Sequence, residues 1–365
     1  MMQSAAIDRR SFVKAAGLGF LAALAPKSLM ALERADAVYA SGIRAADGSF
    51  AVATVTERGE IVDQVALPAR AHGMAFSAAS GKTVAFARRP GTYAMIFDPR
   101  NKGEPIVISS REDRHFYGHG AFSPDGRILY ASENDFDGNR GMIGLYDASD
   151  RFRRIGEFET YGIGPHDMTV SDDGRLLIVA NGGIETHPDF GRTKLNLGAM
   201  QPSLVLIDAA TGALIEKHVL PAEWSELSTR HVDLDGNGRI WFACQYEGHR
   251  RDLPPLVGHF AKGEDLSFVD LPEETTRRLA NYVGAIAVNR RDGLVGVTSP
   301  KGGASVTIDA RTGKVLAETT VPDAAGIAPA RDGFAVSSYD GDFLSTRSDV
   351  AWDQHIVRIS QPARE

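Results

Sequence analysis

The stretch from Tyr117 to Asn134, YGHGAFSPDGRILYASEN, decides the fold: a histidine, an apolar run, a Ser-Pro-Asp-Gly turn and a second apolar run. A similar stretch, GPHDMTVSDDGRLLIVANGG, begins at Gly164. Short apolar runs separated by turn residues predict paired β-strands. The chain therefore repeats a structural unit built around a hairpin.

Glycine-centred turns of this kind recur along the whole chain, at Gly48, Gly81, Gly126, Gly174, Gly238, Gly293 and Gly333. Further on in most units, a third apolar run ends in Asp and leads through a turn into a fourth, as at Asp208–Gly212 and Asp309–Gly313. Asp caps such a turn and Gly supplies the positive φ. Four short strands per unit of roughly 40 to 50 residues are typical of β-propeller blades.

We therefore predict an all-β fold, a seven-bladed β-propeller. The N-terminal unit and the C-terminal run WDQHIVRIS, residues 352–360, each look incomplete. They are expected to share one blade, so that N- and C-terminal strands close the ring. Two stacked β-sandwiches would not explain why the Asp-x-x-Thr-Gly ending recurs at this period.

The N-terminus carries a targeting signal. In DRRSFVKAAGLGFLAALAP, residues 8–26, the pair Arg9-Arg10 precedes a short, modestly apolar segment, as in twin-arginine export signals. The sequence Ala35-Asp36-Ala37 offers a small-x-small cleavage site. We expect residues 1–37 to be removed and residues 38–365 to form a single propeller domain in a bacterial periplasm. No later apolar run is long enough to predict a transmembrane segment in the mature chain.

The composition limits the possible partners. The 40 Lys and Arg residues face 47 Asp and Glu, a net charge of −7, and no basic stripe is visible, which argues against nucleic acid. The single cysteine, Cys244, excludes an intrachain disulfide, and its neighbours predict a small buried residue at a strand end. Motifs for a nucleophilic serine, a phosphate loop, a zinc protease helix or haem attachment are missing from the sequence.

Polar residues are expected to converge on one mouth of the channel, because the loop before each first strand and the loop after each second strand share a face. The first position holds His72, His119, His166 and His231 in four consecutive units. The second position holds Arg88, Glu133-Asn134, Asn181, Gln245-Tyr246, Ser299 and Ser338. An inserted loop, residues 182–202, adds His187, Asp189 and Arg192 to this face, and residues 246–256 form a similar insertion. Long loops in a compact domain are usually functional.

Four imidazoles around one channel predict a site for a metal or an anionic ligand, since imidazole suits Fe, Zn, Cu and Ni. Glu133 would add an oxygen ligand. The rim residues Arg88, Asn181, His187, Arg192 and Gln245 would orient or select the ligand. A purely structural ring, in which each histidine bonds a neighbouring strand, remains the alternative. The other histidines, His115, His218, His249, His259 and His355, are expected to be ordinary surface or loop residues, with His249 and His355 the first candidates for an exception.

Several segments resemble the periplasmic family called domain of unknown function 1513: residues 180–197, 201–208, 240–248, 282–303 and 352–355. The GHG, PHD and RH histidines are similar to its pattern as well. The resemblance covers essentially the mature chain and implies a twin-arginine-exported propeller. It also implies a genetic setting beside imelysin-type iron-uptake lipoproteins and a dihaem oxidoreductase, so iron is the favoured metal. The family offers no catalytic residue to carry over.

These observations lead to three functional hypotheses. The first is a non-enzymatic periplasmic propeller that binds a divalent transition metal, a metal complex or an iron-uptake protein. The second is a metal-dependent lactonase or hydrolase, in which a bound ion activates water and Glu133 or His187 acts as general base. The third is a scaffold that only docks another protein.

Overall fold

The computed structural model describes residues 36–100 and 103–360, and β-strands dominate both ranges. All but the last two residues of the predicted export signal lie outside the described residues. Within the described ranges, no helix has both the length and the apolar character needed to cross a membrane.

Blade 1 combines strands from both ends of the chain, and blades 2 and 3 follow it in chain order. Blade 1 consists of β1 (Tyr39–Arg44), β2 (Phe50–Val55), β3 (Ile61–Leu67) and the last strand of the chain, β28 (Ala351–Arg358). Blade 2 consists of β4 (Ala71–Phe76), β5 (Thr83–Ala87), β6 (Tyr93–Phe97) and β7 (Ile106–Ser109). Blade 3 consists of β8 (Arg114–Phe122), β9 (Ile128–Asp135), β10 (Arg140–Asp147) and β11 (Arg153–Glu159).

The other four blades follow in chain order. Blade 4 consists of β12 (Pro165–Val170), β13 (Leu176–Asn181), β14 (Ser203–Asp208) and β15 (Leu214–Val219). Blade 5 consists of β16 (Leu227–Leu234), β17 (Ile240–Tyr246), β18 (Val257–Phe260) and β19 (Ser267–Phe268). Blade 6 consists of β20 (Ala285–Asn289), β21 (Leu294–Ser299), β22 (Ala304–Asp309) and β23 (Val315–Thr320). Blade 7 consists of β24 (Ala324–Pro329), β25 (Phe334–Ser338), β26 (Asp342–Phe343) and β27 (Thr346–Arg347).

The seven sheets form a ring, which confirms the predicted seven-bladed propeller. The innermost strands β28, β4, β8, β12, β16, β20 and β24 each contact the next one around a central channel. Blade 1 closes the ring because β28 pairs antiparallel with β1, with Tyr39 opposite Arg358 and Arg44 opposite Ala351. The predicted sharing of one blade by the two ends of the chain is therefore confirmed.

Turn chemistry acts as the sequence predicts. All seven turn glycines have positive φ, between 65° and 86°, a backbone region that favours glycine. Asp208 Oδ1 accepts hydrogen bonds from the backbone N–H groups of Ala210 and Thr211 and from the Thr211 hydroxyl. Asp309 makes the same set of contacts in blade 6.

The hydrophobic core lies between neighbouring blades, as expected when sheets are stacked around an axis. One cluster joins blades 2 and 3 around Phe86, Phe116 and Tyr146, and the largest joins blades 4, 5 and 6 around Trp241. Blades 7 and 1 pack through Phe343 and Trp352, whose ring centroids are 4.8 Å apart. The core therefore holds the inner strands in fixed relative positions, and these strands carry the channel side chains.

The insertions between the second and third strands are where the sequence predicts them. Residues 182–202, between β13 and β14, contain two short 3-10 helices, Pro188–Phe190 and Leu197–Ala199. Residues 247–256 separate β17 from β18. A third 3-10 helix, Ala222–Trp224, precedes β16, and the α-helix α1 (Glu273–Arg278) precedes β20.

β-bulges interrupt six of the seven inner strands at similar positions. The register of β4, β8, β12, β16 and β24 against the second strand of the blade shifts around residues 71–74, 116–120, 165–167, 229–231 and 324–327. The pairing of β28 with β1 shifts in the same way, between Trp352 and Ile356. A bulge re-aims the side chains around it, and it is at these bulges that the channel histidines lie.

Candidate functional site: a histidine layer across the channel

Five histidines meet inside the channel. His72, His119, His166 and His231 are buried, as predicted for convergence, and His355 from β28 joins them. Their positions differ from the prediction in one respect. They lie within the inner strands rather than before them, because each inner strand continues through its bulge.

The five imidazole rings form one compact layer. Ring centroids lie 4.5 Å apart for His119 and His355, 4.7 Å for His72 and His355, and 4.9 Å for His166 and His231. Two sets of three, His72–His119–His166 and His119–His231–His355, bring their ligand atoms within 4.8 Å of one another. This spacing allows the nitrogens of three different blades to reach one small ion.

Three of these rings have a nitrogen with no protein partner. Among the residues that the structure describes, Nδ1 of His72, Nε2 of His119 and Nε2 of His355 are buried without a hydrogen-bond partner. Buried polar atoms of folded proteins are almost always satisfied. Three imidazole nitrogens without a protein partner in one cluster therefore indicate a ligand that comes from outside the protein.

Asp167 sets the orientation of two of the rings. The Nδ1 of His119 is 3.1 Å from Asp167 Oδ1, and the Nδ1 of His231 is 3.6 Å from Oδ2. The carboxylate also accepts hydrogen bonds from the backbone N–H groups of Met168 and Val232. Burial alone would raise the pKa of Asp167, but the facing His119 and His231 hold this pKa below its ordinary value. An ionised Asp167 keeps the Nδ1 proton of His119 in place, which leaves Nε2 of that ring as a lone-pair donor.

His166 is held differently from the other four. Its Nδ1 is 3.2 Å from Nη1 of Arg230, and because a guanidinium only donates, this ring nitrogen accepts. The neutral ring then carries its proton on Nε2. His166 is therefore poorly prepared to bind a cation, and the set His119–His231–His355 is better suited.

Four of the five channel histidines are held in their neutral form. Burial lowers the pKa of His72, His166 and His355 well below the ordinary value, and the neighbouring imidazoles and arginines disfavour the charged form further. Burial also lowers the pKa of His231, against the opposing effect of Asp167. Neutral imidazole is the form that coordinates transition metals.

The histidine layer separates two cavities at opposite ends of the channel. The acidic cavity has a volume of about 510 Å³ and is lined by His119, His231, His355 and the carboxylates of Asp167, Asp172 and Asp233. The basic cavity, about 110 Å³, lies on the side of the inserted loop and is lined by His72, His166, Arg88, Arg89, Arg192, Lys194 and Arg230. Burial raises the pKa of Asp233 to about 6.

The structure does not bring Glu133 to the histidines. Its carboxylate accepts hydrogen bonds from Tyr146 Oη at 2.7 Å and Arg154 Nη2 at 2.8 Å, and both partners belong to outer strands of the same blade. The side chain therefore points away from the channel. The expected oxygen ligand is replaced at the histidine layer by Asp167, which orients imidazoles instead of completing a ligand set.

The predicted rim residues divide into two groups. Arg88, Arg192 and Gln245 line the basic cavity. His187 instead caps the 3-10 helix Pro188–Phe190 by accepting from the backbone N–H of Asp189. Asn181 is fully buried and donates to the Thr160 carbonyl, so it joins strands.

The remaining histidines are only partly as expected. His249 is exposed in its loop, and His218 and His259 lie on outer strands. His115 is not a surface residue: it is buried on β8, where its Nδ1 donates to the Phe116 carbonyl and its Nε2 accepts from Asn134. Cys244 is fully buried, as predicted.

Sequence reasoning missed Asp167, Arg89 and Arg230, and it left His355 as an exception to be tested. Asp167 and Arg230 are the immediate chain neighbours of His166 and His231, so the PHD and RH motifs contained the signal. His355 stands ahead of an apolar run, as the other channel histidines do. Its place in the layer requires ring closure, which brings it beside His72.

The chain shares its fold with solved structures of distant sequence. Hydrazine synthase of Kuenenia stuttgartiensis is similar with a TM-score of 0.60 at 14% identity, over 85% of this chain and 89% of that one. A chain of a nidogen/laminin complex is similar with a TM-score of 0.52 at 12% identity, over 77% and 92%. At such identities the likeness concerns the fold alone.

No match was found among curated proteins. The model of one protein family matches residues 65–359, which is most of the chain and includes all five channel histidines. Its description is "Protein of unknown function (DUF1513)". On this match the chain belongs to the DUF1513 family.

Proposed function

We propose that this protein is a non-enzymatic periplasmic propeller that binds one divalent transition-metal ion at the histidine layer. The observation that carries this proposal is the cluster of orphaned imidazole nitrogens on His72, His119 and His355. A purely structural ring of histidines would satisfy these atoms by bonding neighbouring strands. Only part of the layer does so, through Asp167 and Arg230.

The favoured ligand set is His119, His231 and His355. These three residues line the acidic cavity, so an ion reaches them past the carboxylates of Asp167, Asp172 and Asp233. Three imidazoles leave further coordination positions open, and an all-nitrogen set selects transition metals over Ca²⁺ or Mg²⁺. Asp167 would hold the rings of His119 and His231 in the orientation needed for binding.

Binding is favoured over catalysis by the position of the residues named as general bases. Glu133 is engaged with Tyr146 and Arg154, and His187 caps a helix in the inserted loop. Both oxygens of Asp167 accept hydrogen bonds from backbone N–H groups and face imidazoles. A hydrolase would need a free base beside the ion.

The family resemblance suggests iron as the ion. The protein would then have an accessory role in periplasmic iron acquisition, after export by the twin-arginine route. Imidazole ligands take Cu²⁺ and Zn²⁺ more strongly than Fe²⁺ in solution. The physiological ion would therefore be selected by supply in the compartment. A folded protein exported by this route carries into the periplasm any ion that it bound before export.

The test is a calorimetric titration of metal-free protein with Zn²⁺, Co²⁺ and, without oxygen, Fe²⁺. We expect binding of about one equivalent, and a higher melting temperature in the presence of the ion. The variant His119→Ala/His355→Ala should lose this binding, while the control His249→Ala, an exposed histidine, should keep it. Elemental analysis of protein purified from the periplasm identifies the native ion.

Two results would overturn the proposal. One is negligible binding of all three ions by wild-type protein. The other is equal binding by wild-type protein and the double variant, with both shown to be folded by circular dichroism. If the double variant is unstable, metal binding is measured with His355→Gln, which keeps a polar side chain of similar length and should bind the ion more weakly than wild type.

A further inference from the structure

The basic cavity concentrates positive charge on the other side of the histidine layer. Its wall contains Arg88 and Arg89 from the β5–β6 loop, Arg192 and Lys194 from the inserted loop, and Arg230 from the bulge of β16. Three segments distant in the chain thus place five cationic side chains around about 110 Å³. None of the other lining residues among those described is Asp or Glu.

Nearby carboxylates offset this charge only in part. Glu247 forms an ion pair with Lys194 and lies 3.8 Å from Nη2 of Arg230. Asp353 accepts two hydrogen bonds from Arg70, at 2.8 and 2.9 Å. These two carboxylates are fewer than the five cations of the wall, and both are already engaged.

Two buried guanidinium groups have donors left over. Arg89 is 8% exposed and Arg230 is 5% exposed. Within the described part of the chain, Nη1 of Arg89 and Nε of Arg230 have no hydrogen-bond partner, and neither has Nε of Arg88. Leaving a buried charged donor unsatisfied is costly, so these atoms indicate an acceptor that is not part of the protein.

Titration behaviour agrees with this geometry. Desolvation and the neighbouring Arg88 and Arg89 lower the pKa of Arg192 to about 10. Desolvation followed by the charge of Arg70 lowers the pKa of Arg88. A bound anion would relieve this repulsion.

We propose that the basic cavity binds a small oxyanion carrying two or more negative charges on phosphate or carboxylate groups. Planar guanidinium forks pair with such groups through two parallel hydrogen bonds, which explains the use of four arginines. The Tyr282 hydroxyl, which accepts from Gln354 and keeps its own O–H donor, and the Gln354 side chain also line the wall and can bind further oxygen atoms. The proposal stands on these arginines and does not depend on metal binding by the histidine layer.

The test uses full-length mature protein whose metal has been removed on a chelating resin. A soluble chelator such as EDTA is unsuitable because it is itself a polycarboxylate. Inorganic phosphate and citrate are titrated calorimetrically in a buffer with chloride as the only other anion, and acetate serves as a singly charged control. Phosphate, citrate or both should bind, acetate should bind at least about tenfold more weakly, and salt should weaken binding.

Two variants locate the site. Arg89→Gln removes a buried donor, and Arg192→Ala removes a side chain of the inserted loop, outside the hydrophobic core. Each should weaken binding at least about tenfold, the usual effect of a lost charged hydrogen bond. The control Arg175→Ala, an arginine that is 85% exposed on a turn at the far end of the channel, should bind as wild type does.

The outcomes separate the kinds of ligand. Binding of citrate alone identifies a polycarboxylate site, and binding of phosphate alone identifies a phosphate site, and both support the proposal. The proposal is overturned if neither anion binds wild-type protein, if acetate binds as tightly as they do, or if both Arg89→Gln and Arg192→Ala bind like Arg175→Ala. Metal titration of the same variants shows separately whether the histidine layer binds a metal ion.

Discussion

The two cavities of the channel differ in charge although the same inner strands build both. The acidic cavity is lined by His119, Asp167, His231 and His355, and the basic cavity by Tyr117, His166, Arg230 and Gln354. These residues are neighbours or near neighbours in the chain, one pair from each of β8, β12, β16 and β28. A bulge turns consecutive side chains toward opposite ends of the channel, so a two-residue motif contributes to both cavities.

This arrangement separates cation and anion binding across one layer of imidazoles. The acidic cavity attracts cations toward His119, His231 and His355. The basic cavity attracts anions toward Arg89 and Arg230. Because a buried layer of side chains lies between them, the two sites are expected to respond independently to mutation. The first prediction below, which has the largest expected effect, tests this independence directly, and two further predictions test the role of burial and of charge at the acidic cavity.

Replacing Asp167 should damage the acidic side alone. Asp167→Ala leaves the His119 ring and two backbone N–H groups without their acceptor and removes the carboxylate that faces His231, so we expect a loss of about 3 kcal/mol in the free energy of unfolding. Asp167→Asn keeps the shape and should lower metal affinity by about 10- to 100-fold. Urea unfolding and metal titration measure the two effects, with the exposed Asp189→Asn as control.

The same Asp167→Asn protein should bind citrate or phosphate as wild type does. A parallel loss of anion affinity would contradict the separation of the two cavities. Unchanged metal affinity would show that Asp167 has no part in orienting the ligand rings.

His115, a buried histidine outside the channel, tests how burial alone changes the pH dependence of the free energy of unfolding. Burial lowers the pKa of His115 to about 4, while the unfolded value is about 6.5. The unfolded chain therefore takes up the proton first as the pH falls. The stabilisation is complete above pH 6.5 and is lost between pH 6.5 and 4, by up to about 3 kcal/mol. In His115→Gln this part of the pH dependence should disappear.

Urea unfolding of wild type, His115→Gln and the control His249→Gln across this pH range provides the measurement. His115 has partners on both ring nitrogens, unlike His72, His119 and His355. Metal binding by His115→Gln should therefore equal that of wild type. A variant with the wild-type pH dependence would show that folding does not lower the pKa of His115.

The smallest effect is expected at the outer wall of the acidic cavity. Asp172 lines this cavity, is 65% exposed and accepts hydrogen bonds from Arg290. Asp172→Asn should slow the association of Zn²⁺ by less than about threefold at low salt, and the difference should vanish at high salt. Stopped-flow measurement detects it. A salt-independent change would mean that Asp172 acts by position and not by charge.

The fold was predictable because its signals are local. Positive-φ glycines and Asp-capped turns act within a few residues. The hairpins of each unit can therefore be predicted from the residues of that unit alone. Convergence of four histidines was predictable for a related reason. A repeat places equivalent residues at equivalent positions around the axis.

The errors have physical causes as well. Glu133 was expected in the channel. It pairs with Met142 on β10 instead, and its side chain extends outward to Arg154. His115 was expected at the surface, but β8 begins at Arg114, earlier than the apolar pattern indicates. The direction of a side chain depends on strand register and bulges, which the period of the repeat does not specify.

The sequence by itself determined the number of blades, the ring closure and the presence of several histidines at one level of the channel, because these follow from turn chemistry and repetition. Only the tertiary structure decided that His355 joins the layer, that Asp167 orients it, and that arginines gather on one side. Those outcomes depend on contacts between strands far apart in the chain. They also depend on bulges that send neighbouring side chains to opposite ends of the channel.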